Sequence, residues 1–446
     1  METLITPSLE INTIFADQLK KAQQLKKSSV SDRVHRLTKL KNALSENHEA
    51  ILAALYQDFK KPAAEAQLEI SPIMDEIDFA VESLETWMTP TVSDTPEALG
   101  GTAVKSRIIY EPKGVCLFIT PWNYPFLLTF RPLVSCLAAG NTAIIKPSEL
   151  TPHSSALMRQ IVESAFETNE VAVVEGAGDV AAELLTLPFH HIFYTGGSRV
   201  GKIVMKAAAN YLASVTLELG GKSPVILDDS ADFADAAGKI AWGKYFNCGQ
   251  TCIAPDYVLV SENRKDEFVA TMKATVEAMY GADGPGPDSP AYARMVNQNH
   301  YQRVKKLIED SVMSGATVIT GGQTEDSENY ISPTLLDNVR STHAIMQEEI
   351  FGPVLPVLTY RELDDAIEFV NQGDRPLALY VFGQDKNITE QVLNETTAGG
   401  SVVNHIIMHY FSPFLPFGGV GNSGNGRANG HFGFLDFTNH RPVFEL

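Results

Sequence analysis

The stretch HHIFYTGGSRVGKIVMKAAANYL, residues 190–212, joins a short apolar run to a helical pattern through two glycines. Three similar apolar runs precede it, namely GVCLFIT (114–120), NTAIIK (141–146) and VAVVEG (171–176). Helical patterns separate the later runs, as in SSALMRQIVESAF (154–166). Near-continuous apolar strands that alternate with helices are typical of a parallel sheet covered on both faces. We therefore predict an α/β fold.

Polar loops follow three of these runs, and ligands of such sheets bind beyond the carboxyl ends of the strands. The loops are TPWNYP (120–125), KPSE (146–149) and TGGSRVG (195–201). The last, with Lys202, fits the spacing of a nucleotide-triphosphate loop, but Ile203 stands where Ser or Thr would bind magnesium. A helix N-terminus after the glycines still suits a dinucleotide pyrophosphate. A plain strand–helix turn remains the structural alternative.

Other parts of the chain differ in pattern. The first ninety residues indicate helices, one of them with Leu37, Leu40 and Leu44 on one face and Ser31 or Asp32 as its cap. A turn-rich break follows at 89–103, and a second strand–helix series begins at VTLELGGKSPVIL (215–227). We interpret that series as a second α/β domain, residues 218–405. The glycine-rich tail at 416–434 predicts a loop followed by a short terminal strand.

Composition excludes several classes of protein. The chain has 446 residues and a formal net charge of -19, so it lacks the basic footprint that nucleic acids and anionic membranes require. It contains no apolar run of roughly 18 residues, and its first residues lack the pattern of a secretory signal. Four cysteines are too few for a disulfide scaffold. A cytoplasmic protein without a membrane anchor is expected.

Two cysteines lie close together in GKYFNCGQTCIAPDY, residues 243–257. Cys248 and Cys252 have no second pair at metal-like spacing, and HIIMH (405–409) lacks the glutamate of a zinc-protease motif. We therefore expect no metal site. Packing in the core and nucleophilic chemistry both remain open, since a polar loop with nearby N–H groups can lower the pKa of a thiol.

Seven motifs occur in an order that resembles the aldehyde dehydrogenase superfamily, and within it the class-3 branch of fatty and aromatic aldehyde dehydrogenases. They are PWNYP, KPSE, YTGG with VG, LELGGKSP, GQTCIAPDY, EEIFGPVLPV and LPFGGVGNSG. The resemblance implies a Rossmann-like NAD(P)-binding domain (1–90 and 108–217), a catalytic domain (218–405) and oligomerisation segments (91–107 and 425–446). It also implies a homodimer.

The resemblance implies a role for each matching residue. Cys252 matches the nucleophile, Glu218 the general base and Asn123 the oxyanion donor, whereas Cys248 matches no catalytic position. The positions that match cofactor contacts are Thr120, Pro121, Trp122, Lys146, Glu149, Gly196, Gly197, Ser198, Gly201, Glu349 and Phe351. Gly197 departs from the usual serine, and Asn425 from an apolar residue. NAD and NADP are not distinguished, because Glu149 would repel a 2′-phosphate that Lys146 would attract.

Apolar and aromatic residues near the motifs predict a substrate pocket. Tyr124, Phe246 and Phe411 are its predicted lining, together with Phe126, Leu128 and Phe414. The predicted function is NAD(P)-dependent oxidation of an apolar aliphatic or aromatic aldehyde to the carboxylic acid, through a cysteine thiohemiacetal and a thioester that water hydrolyses. The alternatives are a non-catalytic scaffold of the same fold and nucleotide phosphoryl transfer.

Overall fold

The computed structural model describes residues 8–446 of the chain. The helices are α1 (Ser8–Leu25), α2 (Val30–Glu46), α3 (His48–Phe59), α4 (Ala63–Met88), α5 (Leu127–Ala138), α6 (Pro152–Ala165), α7 (Gly178–Leu184), α8 (Ser198–Ala209), α9 (Phe233–Tyr245), α10 (Lys265–Tyr280), α11 (Gln298–Met313), α12 (Leu363–Gln372), α13 (Lys386–Glu395) and α14 (Gly430–Asp436). The strands are β1 (Thr91–Ser93), β2 (Lys105–Pro112), β3 (Val115–Ile119), β4 (Thr142–Lys146), β5 (Val171–Val173), β6 (His191–Gly196), β7 (Ser214–Leu219), β8 (Pro224–Leu227), β9 (Tyr257–Ser261), β10 (Thr317–Thr320), β11 (Thr324–Glu325), β12 (Tyr330–Ile331), β13 (Thr334–Asp337), β14 (Val354–Tyr360), β15 (Ala378–Phe382), β16 (Gly400–Val403), β17 (Gly424–Asn425) and β18 (Thr438–Glu445).

The first large sheet has the strand order β17-β7-β6-β3-β4-β5 within the described chain. All its neighbours are parallel except β17, which pairs antiparallel with β7. The chain runs outward from β3 to β5 and then returns to lay β6 on the other side of β3. Such a reversal opens a crevice at the carboxyl ends of the two central strands. The loops that follow β3 and β6 meet there.

The second large sheet has the order β10-β13-β14-β9-β8-β15-β16, and only β10 runs antiparallel to its neighbour. A third sheet, β1-β2-β18, is antiparallel and is built from a short strand in the turn-rich break, the strand that follows the break and residues 438–445. The predicted α/β class is confirmed. The helices pack on both faces of the large sheets, as near-continuously buried strands such as β3 and β15 require.

Two predicted domain boundaries fall inside strands. The boundary at 217/218 divides β7, which pairs with β6 along its whole length, and the boundary at 107/108 divides β2. The apolar pattern of a strand does not reveal which sheet it joins. The chain crosses between the large sheets later, between Leu219 and Pro224. The functional roles assigned to the domains stay predictions.

Of the helices at the start of the chain, α1 packs against β3 and β4 of the first sheet, whereas α2, α3 and α4 pack on α5 and α6. Leu37, Leu40 and Leu44 of α2 are fully buried, as their spacing predicts. The predicted cap is wrong, since Ser29 accepts from the N–H of Asp32 and the Asp32 carboxylate accepts from Ser29 in return. Throughout residues 8–446, none of the helices combines the length and the apolar character needed to cross a bilayer.

Candidate active site

A groove of about 340 Å³ lies at the crevice between β3 and β6. Its lining combines the loop after β3, the glycine turn after β6, the end of β7 and the loop before β14. The lining residues are Pro121, Trp122, Asn123, Leu128, Thr195, Gly196, Gly197, Glu218, Leu219, Gly220, Cys252, His300, Arg303, Glu348, Glu349 and Phe351. The groove therefore brings together all three residues predicted to carry chemistry.

Cys252 lies in the loop between α9 and β9, and it is partly exposed. This loop begins with three successive left-handed residues, Asn247, Cys248 and Gly249. A Cβ on Gly249 would meet the carbonyl oxygen of Gly352, so the close approach of these two loops requires glycine there.

Cys248 has a different environment from Cys252. It is fully buried, with its Sγ 3.6 Å from the Tyr292 hydroxyl oxygen and 3.8 Å from the Met295 sulfur. Burial raises the pKa of the Cys248 thiol to about 12. At neutral pH Cys248 is therefore a protonated thiol that packs in the core.

A second cavity, narrow and apolar, has Cys252 in its wall. Its volume is about 50 Å³. The lining residues are Leu68, Tyr124, Leu127, Leu128, Trp242, Phe246, Thr251, Cys252, Ile253, Ile407, Tyr410 and Phe411. Cys252 and Leu128 are the two residues that this apolar pocket shares with the groove.

Only some of the residues that were predicted to line a substrate pocket do so in the structure. Tyr124, Phe246 and Phe411 all lie in the wall of the apolar pocket. Phe126 does not, since it is fully buried in the core against Phe130. Phe414 is also outside the pocket wall: it is largely exposed, and its ring packs edge-on against Phe79.

Asn123 turns its amide toward the loop of Cys252. The Asn123 Nδ2 donates one hydrogen bond to the Gln250 carbonyl at 3.0 Å. An amide nitrogen has two N–H groups, so the other is available to a ligand in the groove. The loop itself is secured by the buried Gln250 side chain, which donates to the carbonyls of Asn247 and Arg294 and accepts from the N–H of Val296.

Glu218 is buried near the end of β7, between Thr195 of β6 and Gly424 of β17. Neither of its carboxylate oxygens has a hydrogen-bond partner among residues 8–446. Burial raises the pKa of Glu218 well above the ordinary value; Arg427 opposes this shift and Asp436 reinforces it. An unpartnered carboxyl with a raised pKa is suited to accept a proton from water.

Two carboxyl groups, those of Glu349 and Glu218, disfavour ionisation of the Cys252 thiol. Burial raises its pKa most, and negative charge on Glu349 and Glu218 raises it further, while the N–H groups of Cys252 and Ile253 lower it. The pKa of Glu349 is itself raised to about 8 by burial and by Asp256. Ionisation of the thiol is therefore coupled to the charge of Glu349.

Replacing Glu349 by glutamine tests this coupling. We expect Glu349→Gln to react with iodoacetamide at Cys252 about threefold faster than wild type near pH 9, because the removed carboxylate no longer opposes the thiolate. Near about pH 6.5 wild-type Glu349 is protonated, so the two rates should agree within about twofold. Mass spectrometry of the Cys252 peptide measures both rates, and buried Cys248 in the same digest is the control. The same ratio at both pH values would contradict the coupling.

The residues predicted to contact a cofactor fall into two groups. Pro121, Trp122, Gly196, Gly197, Glu349 and Phe351 line the groove. The others do not: Thr120 accepts from the Thr129 hydroxyl, Lys146 pairs with Glu149 at 2.8 Å, and Gly201 packs beneath Leu219. Ser198 lines an adjacent cavity and donates to the carbonyl of Asn422 at 3.4 Å.

The groove suits a dinucleotide. The glycine turn leads directly into α8, whose N-terminal N–H groups favour a phosphate. Open space surrounds the position that a Cβ on Gly197 would take, so this departure from serine leaves the groove wider. On the other wall, the rings of Trp122 and Phe351 meet edge-on at 5.4 Å and offer apolar surface to a nicotinamide.

Two groove residues lie outside every motif of the sequence and were not predicted, and both come from the start of α11. The His300 ring lies 4.9 Å from that of Trp122, and burial lowers its pKa. Arg303 donates to the carbonyls of Glu349 and Ile350 and so holds the loop that carries Glu349. No motif marked these residues, because their position depends on how α11 packs.

The histidines of HIIMH do not converge. His405 accepts from the N–H of Ile406 through Nδ1, whereas His409 is half-buried against Tyr380 and Phe417. Across the described residues, no group of three or more His, Cys, Asp and Glu side chains is arranged to hold a metal ion.

Comparison with known proteins agrees with this geometry. The sequence model of the aldehyde dehydrogenase family matches residues 7–443. The chain belongs to the aldehyde dehydrogenase family. It is 46% identical over 413 residues to 4,4′-diaponeurosporen-aldehyde dehydrogenase of Staphylococcus aureus, covering 92% of this chain and 88% of the relative. It is 40% identical over 420 residues to aldehyde dehydrogenase family 3 member A2 of Rattus norvegicus, covering 92% and 83%.

Solved structures extend the comparison. Substrate-bound AldH of Staphylococcus aureus superposes with a TM-score of 0.94 at 43% identity, covering 98% of this chain and 94% of the other. An Escherichia coli NADP-dependent enzyme gives 0.90 at 26% identity over 98% and 91%. PnpE in complex with nicotinamide adenine dinucleotide gives 0.88 at 25% over 98% and 90%. This aldehyde dehydrogenase thus uses NAD(P) to oxidise an aldehyde, and the predicted enzyme class is confirmed.

Proposed function

We propose that this aldehyde dehydrogenase converts apolar aldehydes to carboxylic acids through a covalent thioester on Cys252. The observation that carries the proposal is the position of Cys252 in the wall shared by the groove and the apolar pocket. An aldehyde carbon at the sulfur would have its chain in the pocket and its reacting face toward the groove. Asn123 and Glu218 reach the same groove from separate elements.

In the first half of the reaction, the Cys252 thiolate adds to the carbonyl carbon and the oxygen becomes an anion. The free N–H of Asn123 and the main-chain N–H of Cys252 donate to that anion. One such donor typically contributes ~3 kcal/mol to lowering the barrier. As the carbonyl re-forms, the tetrahedral carbon loses its hydride, which leaves the thioester on Cys252. NAD(P)+, when bound, would supply the acceptor for that hydride, and Trp122, Glu349, Phe351 and the glycine turn before α8 would hold it.

In the second half, Glu218 takes a proton from water and the resulting hydroxide adds to the thioester carbon. The carbon–sulfur bond then breaks, so the acid leaves and the Cys252 thiolate is restored. Because the two Glu218 oxygens are unpartnered within residues 8–446, one of them is available to a water molecule. Hydrolysis is therefore favoured over transfer of the acyl group to another acceptor.

Product analysis tests this scheme. We expect hexanal and NAD+ or NADP+ to give hexanoic acid and reduced cofactor in equal amounts, without added coenzyme A or phosphate. Mass spectrometry of the acid and absorbance of the reduced cofactor measure the two products. A reaction that requires an acyl acceptor would contradict hydrolysis, and an inactive protein would favour the scaffold hypothesis.

The apolar pocket predicts the substrate type. Its wall is almost wholly apolar and its volume is only about 50 Å³, which suits thin, unbranched chains or flat rings. Each buried CH₂ contributes about 0.8 kcal/mol. We expect kcat/KM to rise about fourfold per CH₂ from propanal to hexanal, with benzaldehyde accepted and pivaldehyde, branched beside the carbonyl, rejected. Steady-state rates with this series are the measurement, and a decline as the chain lengthens would contradict the pocket's role.

Cofactor choice and assembly belong to the same proposal. We infer that both NAD and NADP are accepted, because Glu149 and Lys146 pair with one another and neither charge dominates. We also infer a homodimer, since the sheet β1-β2-β18 exposes Val92 and Phe444 and leaves apolar surface for a second copy. The cytoplasmic location stays a prediction.

A further inference from the structure

Three charged residues lie beneath the catalytic loops, and the reaction described above uses none of them. Lys61 lies two residues before α4, and Glu65 and Glu69 lie in the first two turns of that helix. Lys61 and Glu69 are fully buried, and Glu65 is half-buried. Burying a charged group costs free energy unless the group is paired and hydrogen-bonded. The contacts of this cluster must therefore offset the desolvation of its charges.

Lys61 holds the main chain of Asn123. Its ammonium pairs with Glu69, donates to the carbonyl oxygen of Asn123 at 3.0 Å, and lies 4.1 Å from the centre of the Tyr124 ring. Glu69 accepts from the N–H groups of Phe126 and Leu127 at 3.1 and 3.4 Å, where α5 begins. The pair therefore fixes the loop after β3 on both sides of the amide that faces Cys252.

Glu65 holds the other loop. Its carboxylate accepts from the N–H of Asn247 at 2.8 Å. The Asn247 side chain in turn donates to the carbonyl of Asn123 at 3.0 Å. Hydrogen bonds thus connect three segments to one another: the start of α4, the loop that carries Asn123 and the start of the loop that carries Cys252.

The backbone at this junction is strained. Asn247 and Cys248 have φ angles of 53° and 54°, which lie in the left-handed region that residues other than glycine rarely adopt. Such conformations persist only when the surroundings over-determine them. The Glu65 bond acts on the first strained residue, and the Gln250 side chain secures the end of the same turn.

We propose that Lys61 and Glu65 are positioning residues, which align the oxyanion donor Asn123 with the nucleophile Cys252. Neither residue lines the groove or the apolar pocket, so each acts through the residues that it contacts: Lys61 through Asn123, Tyr124 and Glu69, and Glu65 through Asn247. The proposal rests on the thioester mechanism proposed above. Loss of this alignment should slow formation of the first covalent intermediate and leave the affinity for the cofactor unchanged.

The Glu65 position allows a matched pair of variants. Glu65→Gln keeps an oxygen that accepts from Asn247, whereas Glu65→Ala removes it. We expect the pre-steady-state burst of reduced cofactor to slow about tenfold in Glu65→Ala, because small displacements of reacting groups are costly. Glu65→Gln should stay within about threefold of wild type, and the cofactor KM within about twofold in both variants.

Two controls separate positioning from general loss of stability. Asp337→Ala removes a buried carboxylate that pairs with Lys265 far from the groove, so it should lower Tm without slowing the burst. Hydrogen exchange of the peptide covering 245–252 should quicken in Glu65→Ala and not in Glu65→Gln. The double variant Lys61→Met with Glu69→Gln removes the cation without leaving a bare carboxylate, and its burst should also slow about tenfold.

Each result decides the proposal. The proposal is overturned if Glu65→Ala gives its burst at the wild-type rate. It is also overturned if the burst of Glu65→Ala is slowed no more than that of an Asp337→Ala variant with the same Tm. Faster hydrogen exchange in Glu65→Ala would not change either conclusion. Equal slowing in Glu65→Ala and Glu65→Gln overturns it as well. If no acyl group is found on Cys252 after NAD+ and hexanal are added, even in Glu218→Gln where hydrolysis is slowed, the thioester mechanism fails first and the positioning role fails with it. An acyl group on Cys252 confines any failure to Lys61 and Glu65.

Discussion

Cys252→Ala should abolish aldehyde oxidation, with kcat/KM lower by about four orders of magnitude or more. Cys252 lies in the wall of both cavities, and removal of a nucleophile eliminates the covalent path entirely. Binding groups alone leave only residual catalysis. Initial rates of cofactor reduction with hexanal measure the loss, and binding of the reduced cofactor, followed by fluorescence, shows that the groove is intact.

Cys248→Ala is the matched control for this substitution. It removes the same atom four positions earlier in the same loop, from a side chain buried against Tyr292 and Met295. We expect it to lower stability by about 1 kcal/mol and to retain kcat/KM within about threefold. If both variants lost activity equally, the sulfur of Cys252 would not be the nucleophile and the loop would act as a structural unit.

Glu218→Gln should separate the two halves of the reaction. The amide cannot take a proton from water, so the thioester should form at a near-normal rate and then persist. We expect one equivalent of reduced cofactor in a burst, followed by a steady-state rate lower by about 10²–10³-fold. Rapid mixing measures the burst, and intact mass spectrometry should find the acyl group on Cys252.

The pH dependence and a chemical control complete this prediction. Because burial raises the pKa of Glu218, the carboxylate forms at a higher pH than that of an ordinary glutamate, and wild-type kcat should increase with pH as it forms. That dependence should vanish in Glu218→Gln. Added hydroxylamine needs no general base and should release the acyl group of the variant as a hydroxamate. A variant without any burst would assign Glu218 to activation of the thiol instead.

Short motifs made much of this site predictable. Strand patterns such as GVCLFIT and HHIFYTG predicted the parallel sheet, and ligand chemistry at its carboxyl edge followed from the fold class. Asn123, Glu218 and Cys252 stand in three separate motifs, and the structure gathers them in one groove. Their catalytic roles stay predictions until the variants are measured.

Contacts between distant elements were not predictable in the same way. Leu68 and Trp242 line the apolar pocket from helices that no motif marks, and their side chains differ little in character from those of core residues. Phe411 and Phe414 lie three residues apart in similar sequence, yet one lines the pocket and the other is exposed. Lys61 and Glu65 belong to a charged stretch around the start of α4, and a charge pattern carries no information about which loop covers it.

The antiparallel pairing of β17 with β7 makes the surroundings of Glu218 depend on two segments that are far apart in sequence. Gly424 lies opposite Glu218, and the N–H of Leu219 donates to the carbonyl of Ser423. Contacts of such long range form slowly, because the entropy of closing the intervening loop must be overcome first. After dilution from denaturant, we therefore expect turnover to return only once this late contact has formed.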